Sequence, residues 1–241
     1  MKPLHANLIA TAFAATLTAR AGVFLDCRFA GNLANSDGPG PSLTDLGTSN
    51  GFTTATVDGV PTTVFGFASN TGLSLDVSAL PDKNLFTMVA LFEFDGAGGF
   101  GFARILQTRN FTSDLDGLYW LNSSTWINGN TGPGFAHQFG RFEQVAFVND
   151  HGSLSAYMDG DLQLTVSGDA SVSAANLLHF FRDDSPVENS SGQVARLRVF
   201  DTALTPAEIG ALDRLAPVPE PSDYAVVAGL TLVAFGVWRR R

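Results

Sequence analysis

Residues 141–166, RFEQVAFVNDHGSLSAYMDGDLQLTV, carry the clearest structural signal in this chain. They contain three runs of apolar and β-branched residues, separated by short turns at 149–152 and 158–161. The second turn holds Asp159 and Gly160, and an Asp-Gly pair between alternating apolar residues is a strong signal for a tight hairpin. The stretch therefore predicts three consecutive antiparallel strands that form a β-meander.

The same pattern continues on both sides of the meander. In the run 194–200, Leu197 and Val199 alternate with Arg196 and Arg198, which indicates a strand with one apolar face. Twelve runs of this kind are predicted as strands: 23–29, 52–57, 63–67, 73–77, 85–94, 102–107, 117–121, 142–148, 153–158, 162–166, 177–181 and 193–200. Many short one-sided strands predict an all-β fold, an antiparallel β-sandwich.

One short helix is predicted after the last strand. Thr205 is a suitable N-cap, Pro206 fits the first helical position and Glu208 completes a capping box, so the helix is expected over 205–215. The residues expected on its buried side are Ile209, Leu212 and Leu215. Two stretches rich in Gly, Asn and Ser are predicted as long loops: 32–49 and 122–140.

Composition and charge narrow the possible functions. The chain has 241 residues, of which 45% are hydrophobic and 15% charged, and its formal net charge is -9. It is long enough for one sizeable core. The acidic balance removes the attraction that nucleic-acid phosphates require, so no nucleic-acid partner is expected. The single cysteine, Cys27, forms no internal disulfide, and its apolar neighbours predict a buried, inert thiol.

The first 21 residues have the features of a signal peptide. Lys2 precedes an apolar stretch over 8–17, and Ala19 and Ala21 place small side chains three residues and one residue before a cut after Ala21. This pattern predicts a mature chain that begins at Gly22 and is exported through the inner membrane.

The last 26 residues combine prolines, an apolar segment and arginines. The segment 224–238 contains no charge, and as a helix it would be ~22 Å long, against a hydrocarbon core of ~30 Å. A transmembrane helix is therefore feasible only if its end lies at the membrane interface. The residues expected there are Trp238, Arg239, Arg240 and Arg241. The arginines favour a cytoplasmic end, which places the preceding chain outside.

This ending resembles the PEP-CTERM sorting signal of Gram-negative bacteria. The residues that stand at the position of the family motif are Val218, Pro219, Glu220 and Pro221. The resemblance implies that an exosortase-type enzyme recognises the tail at the inner membrane. It also implies that the protein reaches the cell envelope or surface, or is secreted after processing. A plain membrane anchor that no protease recognises is the alternative.

The order of segments over 141–215 is similar to that of laminin-G-like, concanavalin-A-like jelly-roll domains. The similarity is closest at 201–209, DTALTPAEI, directly after the last predicted strand. It implies one domain over 22–215 that binds rather than catalyses, with extracellular polysaccharide or another envelope component as the partner. Two alternatives stay open: a glycan-active hydrolase or lyase on the same fold, and a structural matrix protein without a ligand pocket.

Two groups of residues are candidates for ligand contacts. An aromatic group is expected to stack on sugar rings, with core packing as the alternative for its middle member: Tyr119, Trp120 and Trp126. An acidic loop supplies the hard oxygen ligands that suit Ca²⁺, with a merely solvated loop as the alternative. Its residues are Asp183, Asp184, Glu188 and Asn189.

No catalytic residues are predicted. Glu93 and Asp95 begin the Glu-x-Asp-x-x-Glu spacing of one glycoside hydrolase family of this fold, but 96–99 supplies no third carboxylate. The four histidines lack metal-ligand spacing. Glu93 and Asp95 are therefore expected to be surface residues at the end of a strand.

Overall fold

A computed structural model describes residues 22–96, 101–109, 117–122, 124–132, 137–168, 170–185 and 187–215. Within these ranges the chain forms two antiparallel sheets that pack against each other, which confirms the predicted β-sandwich. None of the helices in the described part of the chain has the length and apolarity to span a membrane. The predicted signal peptide, sorting motif and apolar segment 224–238 lie outside the described residues.

Within the described ranges, eight strands form the first sheet, sheet A. In spatial order they are β13 (Asp161–Ser167), β12 (Ser153–Met158), β11 (Glu143–Asp150), β6 (Leu85–Phe94), β15 (Gly192–Phe200), β4 (Val60–Phe67) and β3 (Gly51–Val57), and β1 (Val23–Cys27) also pairs with β15. The predicted meander is formed by β11, β12 and β13. Asp159 and Gly160 have φ angles of 48° and 92°, and positive φ at both central residues is the type I′ geometry of a tight hairpin.

The second sheet, sheet B, has seven strands in the part of the chain that the structure describes. In spatial order they are β10 (Asn130–Thr131), β9 (Ser124–Ile127), β8 (Leu118–Leu121), β7 (Phe102–Gln107), β14 (Leu177–Phe180), β5 (Leu73–Asp76) and β2 (Leu43–Asp45). Strands β2, β9 and β10 lie within the stretches 32–49 and 122–140, so the prediction of long uninterrupted loops was wrong there. These strands are two to four residues long and rich in polar residues, and pairing with a neighbouring strand, not local alternation, makes them extended.

Aromatic rings fill much of the space between the sheets. Phe67 of β4 stacks on Phe181 with ring centroids 4.4 Å apart, and Phe92 of β6 lies 5.1 Å from the same ring. Cys27 is fully buried, as predicted, and burial raises the pKa of its thiol to about 11. The thiol therefore stays protonated at neutral pH.

The segment after β15 packs on the outer face of sheet A. Helix α1 (Pro206–Gly210) begins as predicted, with Thr205 and Glu208 in a capping box and Ile209 buried against the sheet. It ends earlier than predicted, at Gly210, a residue with low helix propensity. Leu212 and Leu215 still pack on sheet A, but from the chain that follows the helix.

The hairpin of β3 and β4 folds over the same face. Strand β4 pairs with β15 only at 192–194, because β1 pairs with the later part of that edge. Arg214 then joins the two hairpin turns at the sheet edges: its Nε donates to Asp58 at 2.7 Å, and its guanidinium also bonds Asp159. These contacts cover one part of the outer face and leave the region around 192–194 open.

Candidate ligand-binding site

A groove of about 460 Å³ lies on the open part of this outer face, where β3 and β15 begin and β4 and β6 end. Gly51 on β3 is paired with Gly66 on β4, and Gly66 is paired with Gln193 on β15. A side chain would fit on either glycine: a Cβ on Gly51 would meet no heavy atom within 4 Å, and a Cβ on Gly66 would lie 3.6 Å from the carbonyl oxygen of Gly51. The floor of the groove is therefore bare backbone.

The cross-strand row that contains the two glycines and Gln193 continues onto strand β6. Gln193 is paired with Glu93 on β6, so Gly51, Gly66, Gln193 and Glu93 form one row across four neighbouring strands. Adjacent strands lie about 4.8 Å apart, and the row therefore spans about 14 Å. The row therefore runs across the strands, with carboxamide and carboxylate groups at one end and open glycine backbone at the other.

The side chains beside the floor offer hydrogen-bonding capacity to a ligand. The Oε1 atom of Gln193 is buried and has no hydrogen-bond partner among the described residues. Asp95 is exposed at the edge of the groove. Burial, together with the nearby charge of Asp95, raises the pKa of Glu93. The site therefore contains one unpaired acceptor and two carboxylates within reach of solvent.

A small pocket adjoins Glu93 where β6 ends. Its volume of about 10 Å³ is room for about one water molecule. His137 and Glu143 line it, with exposed fractions of 8% and 4%, and Nδ1 of His137 lies 2.6 Å from Oε2 of Glu143. Nε2 of His137 is buried without a hydrogen-bond partner in the described ranges. This pair could not be predicted from the sequence, because no spacing rule links a loop histidine to a carboxylate six residues later.

The three aromatic candidates do not form one surface. Tyr119 and Trp126 meet on the outer face of sheet B, with ring centroids 5.1 Å apart. Trp120 is 2% exposed and packs in the core, 6.1 Å from the ring of Phe94. The grouping was wrong because adjacent residues of a strand point to opposite faces of the sheet. Tyr119 is also covered, because the guanidinium carbon of Arg104 lies 3.4 Å from its ring centroid. Trp126 is the one partly exposed ring of the three.

The acidic loop is organised around an arginine. Asp183 is buried, and it accepts hydrogen bonds from Arg104 at 3.0 Å to Nε and 3.3 Å to Nη2. Asn189 is also buried, and its Oδ1 accepts from the backbone N–H of Asp183 at 2.6 Å. Asp184 is exposed and Glu188 is partly buried. The described part of the chain contains no group of three His, Cys, Asp or Glu residues able to hold a metal ion. Of the four candidates, Asp183 and Asn189 thus already use side-chain oxygens in hydrogen bonds within the protein.

The pKa of Asp183 shows which interaction dominates in this loop. Burial alone would raise it. Hydrogen bonding with Asp184 and the charge and hydrogen bonds of Arg104 outweigh burial and hold the pKa of Asp183 below its usual value. The carboxylate is thus ionised and neutralised within the protein, which is a structural role.

A further cavity, of about 410 Å³, lies beside Asn84, Asn149 and His151. Its buried polar side chain, that of Asn149, already donates to the carbonyl of Ala170 and accepts from the N–H of Gly152. His151 lies between Asp82 and Asp150, with 3.1 Å to a carboxylate oxygen of each. The glycine groove, which has the unpaired Gln193 acceptor, is therefore the stronger candidate for ligand binding.

Solved structures with the same fold come from several kinds of protein. Domain 4 of AbnA, a GH43 extracellular arabinanase from Geobacillus stearothermophilus, in complex with arabinotriose, has a TM-score of 0.58 and 15% identity. The match covers 79% of this chain and 97% of that domain. Trypanosoma rangeli sialidase has a TM-score of 0.57 and 18% identity, over 81% of this chain and 32% of the sialidase.

The binding domain of botulinum neurotoxin serotype D has a TM-score of 0.54 and 14% identity, over 78% of this chain and 50% of that domain. At these identities the likeness concerns the fold alone. No sequence among the curated proteins matches the chain. Residues 58–210, more than half of the chain, match the Laminin_G_3 family model, and the chain therefore belongs to this family of the concanavalin A-like lectin/glucanases superfamily.

Proposed function

We propose that this domain binds extracellular polysaccharide in the glycine groove of sheet A. The observation that carries the proposal is the open backbone floor at Gly51 and Gly66 beside the unpaired Oε1 of Gln193. A buried acceptor without a donor is unfavourable, and a ligand hydroxyl that donates to it removes that penalty. Sugars present many hydroxyl groups, so they suit a groove whose walls are carboxamide and carboxylate groups.

The size of the groove supports the same ligand class. A volume of about 460 Å³ lies within the range of sites for small molecules, roughly 300–1,000 Å³. One structural neighbour, domain 4 of the arabinanase AbnA, was solved with arabinotriose bound. A flat floor without side chains also lets a sugar ring approach the sheet closely.

A single substitution in the floor tests the proposal. Gly66→Val fills the groove without a backbone clash, because its Cβ has ordinary contact distances. We expect the full-length protein to bind one or more neutral glycans on an array that includes arabinan, cellulose-type and chitin-type chains, and Gly66→Val to weaken that binding at least tenfold. Thr54→Val is the matched control, since Thr54 is exposed on the other face of the same strand as Gly51. Absence of glycan binding, or equal binding by Gly66→Val, would overturn the proposal.

Binding without chemistry is part of the proposal. The described residues around the groove supply an unpaired acceptor and two carboxylates, and we assign no catalytic step to them. Oligosaccharide recovered after incubation with the protein should therefore be intact by chromatography. Shortened or unsaturated products would favour the hydrolase or lyase alternative instead.

We also propose that the domain acts outside the inner membrane, in the envelope or on the cell surface, or after secretion. The support is the signal-peptide pattern before Gly22 and the resemblance of 218–221 to the exosortase motif. Deletion of 219–221 should leave an unprocessed, membrane-retained form in cell fractionation, whereas Pro217→Ala, just outside the motif, should be processed normally. Normal processing of the deletion variant would contradict the sorting proposal without affecting the glycan proposal.

A further inference from the structure

The segment that follows β15 runs over the outer face of sheet A towards the glycine groove. Ile209 of α1 is buried in the apolar cluster that contains Val89 of β6. Leu215 packs against the next cluster, which contains Leu91 of the same strand. Because side chains of a strand alternate between its two faces, the next residue of β6 on this face is Glu93, at the groove. The described chain thus advances along β6 and ends one step before the groove.

The neighbouring strands place the end of this segment in the same position. The cluster under Leu215 also contains Val64 of β4 and Ala195 of β15. On the outer face, the residue after Val64 is Gly66, which is paired with Gln193. Two residues along a strand correspond to about 7 Å. The two residues that follow Leu215 are therefore enough to reach the floor of the groove, since an extended chain covers about 3.3–3.6 Å per residue.

The sequence after Leu215 suits a floor of bare backbone. Residues 216–219 read APVP. Prolines favour the polyproline II conformation, whose rise of about 3.1 Å per residue gives about 9 Å from residue 216 to residue 219. The floor from Gln193 over Gly66 to Gly51 crosses two strand spacings, about 10 Å. Without side chains on the two glycines, proline rings can lie directly on the sheet.

The charges around the groove select one direction for this segment. Glu93 and Asp95 lie at the Gln193 end of the floor, and neither forms an ion pair with another described residue. The segment itself is uncharged, and Glu220 follows it. A path from Gln193 to Gly51 moves Glu220 away from the two carboxylates, whereas the opposite path would bring like charges together.

The unpaired acceptor of the groove can be satisfied by the same segment. Oε1 of Gln193 is buried and has no hydrogen-bond partner among the described residues. Proline has no backbone N–H, so the donors of the segment are the N–H groups of Ala216 and Val218. A hydrogen bond from either group removes the cost of the unpaired acceptor. A sugar hydroxyl would use the same atom, and the two ligands therefore exclude each other.

We infer that residues 216–219 of this chain occupy the glycine groove, from Gln193 to Gly51, and that a polysaccharide must displace them. The segment continues directly from Leu215, so its effective concentration at the groove is in the millimolar range expected for a short connection. The intact chain therefore binds glycans more weakly than a chain whose segment cannot dock. The competition rests on the proposed function, whereas the docking of the segment does not.

Disulfide trapping in the detergent-solubilised full-length protein tests the docking without any glycan. Gly51→Cys is combined with Pro219→Cys, and a Cβ on Gly51 meets no heavy atom within 4 Å. The control pair is Thr54→Cys with Pro219→Cys, because Thr54 is exposed on the other face of β3. The native Cys27 is buried with a pKa of about 11 and does not react. After mild oxidation, mass spectrometry should show at least fivefold more intramolecular disulfide in the Gly51 pair.

A charge substitution in the segment tests the competition. Val218→Asp places a carboxylate over the floor, near Glu93 and Asp95, and should release the segment. Its Kd for the glycan that binds the parent protein best should be at least threefold lower in calorimetry. Ser222→Asp is the matched control, because it adds the same charge beyond the segment and should leave the Kd unchanged. Saturating glycan should also lower the disulfide yield of the Gly51 pair.

The outcomes separate this inference from the proposed function. If glycans bind and the two cysteine pairs form disulfide equally, the docking is wrong and the proposed function stands. If the Gly51 pair reacts selectively and no glycan binds, the segment is the occupant of the groove and the proposed function fails. If glycans bind but neither Val218→Asp nor saturating glycan has an effect, the competition is wrong.

Discussion

Two acidic segments of this chain lie in opposite environments, one buried and one beside an open groove. Asp183, in the loop after β14, is buried and held by two hydrogen bonds from Arg104. Glu93 and Asp95, at the end of β6, lie beside an open groove and form no ion pair among the described residues. Asp183, which was a candidate Ca²⁺ ligand, therefore has a structural role. Glu93 and Asp95, which were expected to be ordinary surface residues, lie at the candidate site. The position of an arginine on another strand makes the difference.

The two environments shift the carboxyl pKa values in opposite directions. Hydrogen bonds and the charge of Arg104 outweigh burial at Asp183 and lower its pKa, whereas burial and the charge of Asp95 raise the pKa of Glu93. Asp183 thus contributes stability above the pKa of an unfolded aspartate, about 3.9, and that contribution is lost as the pH falls through its folded value. Glu93 does the reverse, because its contribution is present at low pH and lost as the pH rises through its raised value.

The largest expected effect comes from Asp183→Asn. The change removes the charge of the buried carboxylate that accepts two hydrogen bonds from the guanidinium of Arg104, and breaking a buried ion pair typically costs about 3–5 kcal/mol of the free energy of unfolding. Urea denaturation at pH 7 measures the loss. The control is Asp161→Asn, because Asp161 is exposed at the start of β13 and should tolerate the change with little effect. Equal stability of Asp183→Asn and the parent protein would show that the Arg104 pair is not structural.

A smaller effect of opposite sign is expected from Glu93→Gln. Removing a carboxylate that is partly buried and close to Asp95 should raise the free energy of unfolding at pH 7 by about 0.5 kcal/mol or less. The gain should disappear as the pH falls below about 4, where the parent Glu93 is also neutral. Urea denaturation from pH 4 to pH 8 tests the sign. If the Glu93→Gln variant is less stable than the parent protein at pH 7, the carboxylate of Glu93 has a favourable partner.

Local patterns explain why most strands could be predicted. Strands β6, β7 and β12 agree with the sequence prediction at both ends, because each carries its own run of apolar and β-branched residues between turn residues. The capping box at Thr205 is equally local. By contrast, β2, β9 and β10 become strands by pairing with their neighbours, which no short window of sequence displays.

The candidate site could be predicted only in part. Glu93 and Asp95 were recognised as a carboxylate pair, but their setting depends on Gly51, Gly66 and Gln193, which three other strands bring together through their register. A glycine in a strand gives no sign that its neighbour across the sheet is also a glycine. Likewise, the sequence does not show that Arg104 reaches Asp183, because the two residues are 79 positions apart.

His151 lies in a third setting, between two exposed carboxylates that both hydrogen-bond to it. Hydrogen bonds with Asp150 and Asp82 raise the pKa of His151 above its usual value of 6.5. Its contribution to stability is therefore present below about pH 6.5 and is lost as the pH rises through the folded pKa. Titration by NMR should give a midpoint above 6.5 in the parent and a lower one in Asp82→Asn, with Asp45→Asn as a control. An unchanged midpoint in Asp82→Asn would show that His151 does not contact Asp82 in solution.

The smallest expected effect is that of calcium, for which we expect no shift in melting temperature. A ligand that binds only the native state stabilises it by mass action, so a bound ion would raise the Tm. In the loop that contains Asp183, Arg104 already neutralises the one buried carboxylate, and an ion would have to displace it. Thermal melts of the full-length protein with millimolar CaCl₂, against MgCl₂ at equal ionic strength, make the comparison. A calcium-specific rise that Asp184→Asn abolishes would restore the loop as a metal site. A rise that Asp95→Asn abolishes would instead show that the unpaired carboxylates of the groove attract the cation.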